Sequence, residues 1–321
     1  MQYRVLITKP IPEEGLSHLK KYCQIDMPQE EKPFFTREKL LLLAPKIDAL
    51  LTVGDKIDEV FLNKAKHLKV IATYGVGYDN VDVPAATQRA IPVINLPHVV
   101  TESTAELTFA LMLTLSRRII ALNHFVRQEN QWRWHPLLFM NHNHELMNKK
   151  LGIIGLGRIG QAVARRAIAF NMDVQYYDLL KKDTSVKYLP LKEIIISSDY
   201  ITLHVPYNNE THHLLSMAEF QLMKKQAYVI NASRGPVINE ADLVKALQTE
   251  EIAGAALDVY EKEPYVTPEL RTLPNVVLTP HMGTGTVETR INMALEASSN
   301  IIKILNGEMP EHIVNKENLH L

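Results

Sequence analysis

Short unbroken apolar runs alternate along this chain with longer stretches in which apolar residues recur at helical spacing. The runs predict strands buried on both faces, and the stretches predict amphipathic helices. Up to residue 100 the expected strands are 5–8, 47–52, 70–73 and 93–95, with helices over 13–22, 36–43 and 58–65. A single long helix is expected from Thr101 to Arg127, where Leu107, Leu111, Leu115 and Ile119 share one face. From residue 151 the rhythm resumes with strands at 151–154, 174–177, 200–205, 227–230, 253–257 and 276–278. Helices are expected over 216–224 and 239–247, and a last one over 286–305 that Gly307 stops. This alternation predicts an α/β chain with two parallel sheets, each covered by helices. The last helix is expected to rejoin the first domain, the outward crossing lying just after Pro97-His98. That arrangement divides the chain into a discontinuous domain, 1–99 with 287–321, and an inserted domain, 100–286. The tail from Glu311 is polar with little periodicity.

One stretch carries more than periodicity. The strand at 151–154 runs into Gly155-Leu156-Gly157-Arg158-Ile159-Gly160 and then a helix, and the next strand ends on Asp178. This is the dinucleotide fingerprint in its strand–turn–helix–strand setting. Gly155 permits the tight turn, Gly157 lets a pyrophosphate approach the backbone, and Gly160 lets the helix pack on its strand. The pyrophosphate is expected on the helix N-terminus. Asp178 stands near the roughly 20-residue offset of an acid that binds the adenosine ribose hydroxyls.

Bulk properties narrow the field. A length of 321 residues fits about two domains, and 46% hydrophobic residues suffice for sizeable cores. A formal net charge of −1 offers no electrostatic reason for nucleic acid or an acidic membrane as partner. The single cysteine, Cys23, excludes an intrachain disulfide and reads as packing. The opening residues read as a strand and not a signal peptide, and the apolar helix near 107–115 is too short to span a bilayer, so a cytoplasmic protein is the expectation. Trp132 and Trp134 fit either interface anchors or packing over a loop. His142 and His144 lack evident further ligands, so no metal is expected there.

Ligands of open parallel sheets bind beyond the carboxyl ends of the strands. Three such ends carry Asn231-Ala232-Ser233-Arg234-Gly235, the stretch Asp258 to Pro264, and Thr279-Pro280-His281-Met282-Gly283. Singly, Arg234, Glu263 and His281 are ordinary loop residues; together on one rim they favour a site. Their chemistry suits hydride exchange between a nicotinamide cofactor and a 2-hydroxy acid. Histidine supplies an acid/base near neutrality, a carboxylate beside it favours its charged form, and a guanidinium grips the substrate carboxylate. Reduction is therefore expected to fall as pH rises and the imidazole loses its proton. The glycine turn Tyr74-Gly75-Val76-Gly77-Tyr78-Asp79 also follows a strand, though alone it reads as a plain turn.

With these motifs in place, the chain resembles the D-isomer-specific 2-hydroxyacid dehydrogenases over nearly its whole length. The matching stretches are 75–82, 151–160, 231–235, 258–264 and 279–283. The resemblance implies a Rossmann cofactor domain inserted into a flavodoxin-like substrate domain. It implies Arg234 on the substrate, Glu263 beside the histidine and His281 as acid/base. It also makes the first glycine turn functional, by placing the Val76 and Gly77 amides near the substrate carboxylate. It further implies that Arg158, Ile159, Asp178, Ala232, Arg234, Asp258, His281 and Gly283 line the cofactor, with Thr104 and Pro206 close by. Family members are usually homodimers built on the cofactor domains, with substrate in the cleft between domains. The stretch from Val287 resembles the branch that reduces glyoxylate, hydroxypyruvate and 2-ketogluconate. Many members of that branch favour NADP and lack an acid at the position of Asp178, so NAD preference is expected here, with Lys181 and Lys182 nearby. Asn148 stands where the family often has glycine. A corepressor-like NAD sensor on this fold would bind cofactor without turnover; the complete Arg–Glu–His set argues against it. Formate enzymes pair the histidine with an amide where this chain has Glu263, and the branch resemblance points away from phosphite. Glyoxylate or hydroxypyruvate is the expected substrate, with D-lactate, phosphoglycerate and 2-ketogluconate as alternatives.

Overall fold

The computed structural model describes residues 2–128, 132–140 and 143–319. It divides into two compact units, Met1–Val100 with Thr284–Leu321, and Thr101–Gly283. His142 and Gln131 lie outside the described residues.

The first unit runs β1 (Tyr3–Ile7), α1 (Leu19–Tyr22), β2 (Cys23–Asp26), α2 (Arg37–Leu43), β3 (Ala49–Thr52), α3 (Glu59–Lys64), β4 (Val70–Thr73), α4 (Val83–Gln88) and β5 (Val93–Ile94). Its sheet has the order β2-β1-β3-β4-β5 with parallel pairing, the flavodoxin-like pattern. Thr36, Asp58 and Asp82 cap their helices through side-chain oxygens.

The second unit begins with α5 (Thr101–Ser116) and α6 (Ile119–Gln128). Then come β6 (Lys150–Ile154), α7 (Arg158–Ala169), β7 (Asp173–Tyr177), β8 (Lys187–Tyr188), α8 (Leu191–Ser197), β9 (Tyr200–Leu203), α9 (Met217–Leu222), β10 (Tyr228–Asn231), α10 (Glu240–Gln248), β11 (Gly254–Leu257) and β12 (Val276–Leu278). The parallel order β12-β11-β10-β9-β6-β7-β8 is the doubly wound Rossmann arrangement, with the strand order reversing at the β6–β9 pair. The strands are nearly all apolar because helices cover both faces. The final helix, α11 (Val287–Leu305), belongs to the first unit. Its buried Met293, Ala294, Ala297 and Ile301 join the core of β1, β3 and β4, and the Tyr74 hydroxyl donates to the Arg290 carbonyl at 2.5 Å.

Several expectations need correction. The long helix from Thr101 is two helices, because Arg118 takes a left-handed φ of +47° and the Ser116 carbonyl accepts instead from the His144 amide at 2.8 Å. The stretch 13–22 is a short 3-10 turn followed by α1, with Gly15 packed against Ala294. β2 was not foreseen: on this edge strand only Cys23 and Ile25 are apolar. α4 was hidden by Pro84, which is tolerated because it sits in the first turn. α8, with three consecutive isoleucines in seven residues, was not foreseen either. The polar tail is ordered by pairing: Ile313 bridges Ile94, and the Val314 amide donates to the Val93 carbonyl at 2.8 Å. The buried Asn315 side chain accepts from the Val93 amide and donates to the Thr87 hydroxyl and the Ile91 carbonyl. No helix among the described residues is long and apolar enough to cross a membrane.

Candidate active site

β10, β11 and β12 are neighbours in the second sheet, so the loops at their carboxyl ends emerge side by side. The first of these loops is fixed by Asn231, which is buried. Its side-chain oxygen accepts from the Ser233 amide and hydroxyl, and its amide nitrogen donates to the Arg234 carbonyl at 2.9 Å. Ala232 and Arg234 are half-buried in this turn. Gly235 closes it where a Cβ would lie 1.9 Å from the Tyr260 carbonyl group, so no side chain fits between the two loops.

The second and third loops are joined by Asp258. This carboxylate is buried at the end of β11 and takes the Thr279 hydroxyl at 2.6 Å, the Met282 amide at 2.7 Å and the Gly283 amide at 2.8 Å. Its carbonyl accepts the His281 amide at 2.8 Å. These bonds hold His281 at a φ of +54°, a left-handed conformation that costs a non-glycine residue about 1–2 kcal/mol. Tyr260 braces the same loop through its hydroxyl, which donates to the Thr279 carbonyl at 2.9 Å. Burial, together with the charges of Asp258, Glu263 and Glu240, pushes the phenol up to about 12, so it remains a donor.

In the resulting geometry His281 Nδ1 lies 2.8 Å from Glu263 Oε2, while Glu263 Oε1 accepts from the Tyr260 amide at 3.1 Å. Burial alone would raise the Glu263 pKa. The His281 hydrogen bond and charge, the Tyr260 amide and the charge of Arg234 outweigh it and hold the carboxyl below the usual range. An ionised carboxylate only accepts, so Nδ1 carries a hydrogen and Nε2 is the nitrogen left to exchange protons. Arg234, Glu263 and His281 are thus one electrostatic group.

The fingerprint turn joins β6 to α7. Gly155 has a φ of +95°, and a Cβ there would lie 2.7 Å from the His204 carbonyl. At Gly160 a Cβ would meet the Gly155 carbonyl at 2.2 Å. Gly157 faces open space and is the N-cap of α7, which lacks a side-chain cap. The amides at Arg158 and Ile159 open this helix, so the turn fits a dinucleotide pyrophosphate. Asp178, at the end of β7, accepts from the Leu156 amide at 2.9 Å, and Lys182 Nζ lies 3.7 Å from its other oxygen. Thr104 is buried on α5, 3.3 Å from the position of a Cβ on Gly283. Pro206 is exposed beyond β9, with its carbonyl accepting from Thr211. His204, at the end of the same strand, is pushed down to about 3 by burial and stays neutral.

Val76 and Gly77 belong to the first unit, in the turn after β4. That turn directs its carbonyls inward: Gly75 accepts from the Thr73 hydroxyl and the Leu96 amide, and Val76 accepts from Asn95 at 2.9 Å. Sequence reasoning missed three braces. Asn231 and Tyr260 gave no signal beyond lying in the right loops. Glu240, in the first turn of its helix, gave no signal either, yet it is buried and accepts from the Glu261 amide and from the Thr267 amide and hydroxyl, holding both ends of the Glu263 loop.

Comparison with known proteins identifies the family. Residues 109–283 match the family model for the NAD-binding domain of D-isomer specific 2-hydroxyacid dehydrogenases. Glyoxylate reductase from Thermococcus litoralis is 44% identical, over 99% of this chain and 98% of its own. A crystal structure of a Thermus thermophilus protein superposes with a TM-score of 0.92 at 38% identity, covering 97% of this chain and 99% of that one. The NADPH-dependent glyoxylate/hydroxypyruvate reductase of Sinorhizobium meliloti, in complex with NADP and malonate, gives a TM-score of 0.85 at 28% identity, over 98% and 97%. The chain belongs to the D-isomer specific 2-hydroxyacid dehydrogenase family, oxidoreductases that act on CH–OH donors, with hydride passing from a 2-hydroxy acid or to a 2-oxo acid.

Proposed function

We propose that this enzyme reduces small 2-oxo acids with NADH, glyoxylate or hydroxypyruvate foremost, yielding D-2-hydroxy acids where a stereocentre forms. The observation that carries the site assignment is the 2.8 Å contact between His281 and an ionised Glu263, with Arg234 acting on the same pair. In this assignment the Arg234 guanidinium pairs with the substrate carboxylate, which orients the reacting carbonyl. Glu263 holds the imidazolium in place through Nδ1, and Nε2 delivers a proton to the ketone oxygen as it becomes an alcohol. The nicotinamide cofactor supplies the hydride. Gly155, Gly157, Arg158, Ile159 and Gly160 would hold its pyrophosphate and Asp178 its ribose, with Thr104, Pro206, Ala232, Asp258 and Gly283 as further neighbours.

A second copy of the chain is proposed to cover α6 and the segment after it. None of the α6 residues is buried, although Ile119, Ile120 and Val126 are apolar, and Trp132 and Trp134 are exposed too. A cytoplasmic setting suits a chain whose one cysteine is a buried free thiol.

Assayed over glyoxylate, hydroxypyruvate, pyruvate, phosphohydroxypyruvate and 2-ketogluconate, the enzyme is expected to be fastest on one of the first two. His281→Ala should lower turnover by about 10²-fold or more; near-wild-type turnover in that variant would refute the acid/base assignment. In the pH profile of kcat/KM for reduction, the Glu263–His281 pair is intact above the carboxylate range and lost only as pH falls through the lowered Glu263 value. The rate should therefore fall on the acid side, below the usual carboxylate range, as Glu263 takes up its proton. Glu263→Gln removes the carboxylate that holds His281 Nδ1, so turnover should fall by about tenfold or more and the acid limb should disappear, and an unchanged profile would exclude this coupling. Asp178 would repel a 2′-phosphate, and the nearby Lys182 is already engaged 3.7 Å from that carboxylate, so kcat/KM should favour NADH over NADPH by about tenfold. Asp178→Asn should narrow that ratio while keeping an acceptor for Leu156, and a wild-type preference for NADPH would contradict the proposal. Sedimentation should find a dimer that Ile120→Asp dissociates; a monomeric wild type would rule it out.

A further inference from the structure

We propose that His98, Glu311 and His312 form a site for one divalent transition-metal ion, of the zinc class, within the first unit. One ligand atom from each of the three side chains lies within 4.8 Å of the other two. The His98 and His312 rings approach to 4.6 Å between centroids and are tilted by 48°, and His312 Nε2 lies 3.7 Å from Glu311 Oε1. A tetrahedral zinc ion with ordinary bond lengths has its ligand atoms roughly 3.4 Å apart. Side-chain rotations of His98 and Glu311, both exposed, suffice to reach that spacing.

A second observation points to a ligand. His312 Nε2 is shielded from solvent and has no hydrogen-bond partner. Two imidazoles and a carboxylate therefore bring acceptor capacity to one point, and a cation there would satisfy it. Two nitrogens and one oxygen, with a fourth position left to water, suit zinc, cobalt or nickel and not magnesium or calcium, which take oxygen sets.

The backbone brings these residues together without the ion. Ile313 bridges Ile94 and Asn315 anchors the tail to β5, so Glu311 and His312 are delivered beside His98. A bound ion would staple the tail to the segment through which the chain leaves the first unit. None of the three residues belongs to the proposed catalytic set, so the site is predicted to act on stability and not on turnover.

The test is titration of the untagged, chelator-treated full chain with Zn²⁺ by calorimetry and with Co²⁺ by visible absorption. One equivalent is expected to bind, with the intense absorption of tetrahedral cobalt and a Tm that rises with zinc concentration. His98→Ala should weaken binding by more than about tenfold and abolish the Tm response while leaving kcat for 2-oxo acid reduction unchanged, and Glu311→Gln should weaken it as well. Both residues are exposed, so neither variant is expected to misfold. Absence of saturable binding, or binding indifferent to His98→Ala, would overturn the site and leave the enzymatic assignment untouched.

Discussion

Asp258 carries its charge in a place where water does not reach it, and that is tolerable only because the following strand's loop turns three donors onto it. The dependence runs both ways. The Thr279 hydroxyl and the Met282 and Gly283 amides are positioned by the carboxylate, and between them His281 is held at a positive φ that its side chain would not choose in isolation. The strain is local, and the bonds to Asp258 offset it. Removing the carboxylate would leave buried donors unpaired and the histidine free to relax. The orientation of the imidazole is thus decided by a residue that bonds, in this loop, only to the backbone and the threonine.

The partner of the imidazole is held by a separate network. Glu240 takes the amides of Glu261 and Thr267, which bracket Glu263, and Glu261 in turn accepts the Glu240 amide. Tyr260 links the two networks, with its amide on Glu263 and its hydroxyl on the loop of His281. The 2.8 Å contact is therefore set by two loops fixed independently and bridged by one phenol that remains protonated well beyond neutral pH. Such over-determination is what a site needs if a few tenths of an ångström decide the proton's path.

Much of this was legible in the chain because parallel sheets convert local patterns into global ones. Strands buried on both faces read as continuous apolar runs, and ligand chemistry must then lie at their carboxyl ends, which is how Arg234, Glu263 and His281 could be collected from three distant stretches. What escaped was set by partners far away in the chain. The break at Arg118 depends on the Ser116 carbonyl pairing with His144, and no helical periodicity encodes that. The tail's order depends on Asn315 meeting β5, although its own composition is polar. Glu240 gave no signal, since acids in the first turn of a helix are usually solvated, while here the neighbouring loop covers it. Asn148 is a gentler case: its φ of +62° explains why glycine suits that position, and asparagine is among the few residues that tolerate it.

The charge arrangement around the trio links substrate binding to protonation. Asp258, Glu240 and Glu263 surround Tyr260 closely enough for their charges to raise its pKa, and Arg234 acts on Glu263 as the nearby fixed cation. In the proposed assignment an anionic 2-oxo acid would add a further negative charge to a group already rich in carboxylates, and Arg234 is the cation that would offset it. One guanidinium would thus serve two anions: its charge helps to keep Glu263 ionised, and so bonded to His281 Nδ1, and it would grip the substrate carboxylate.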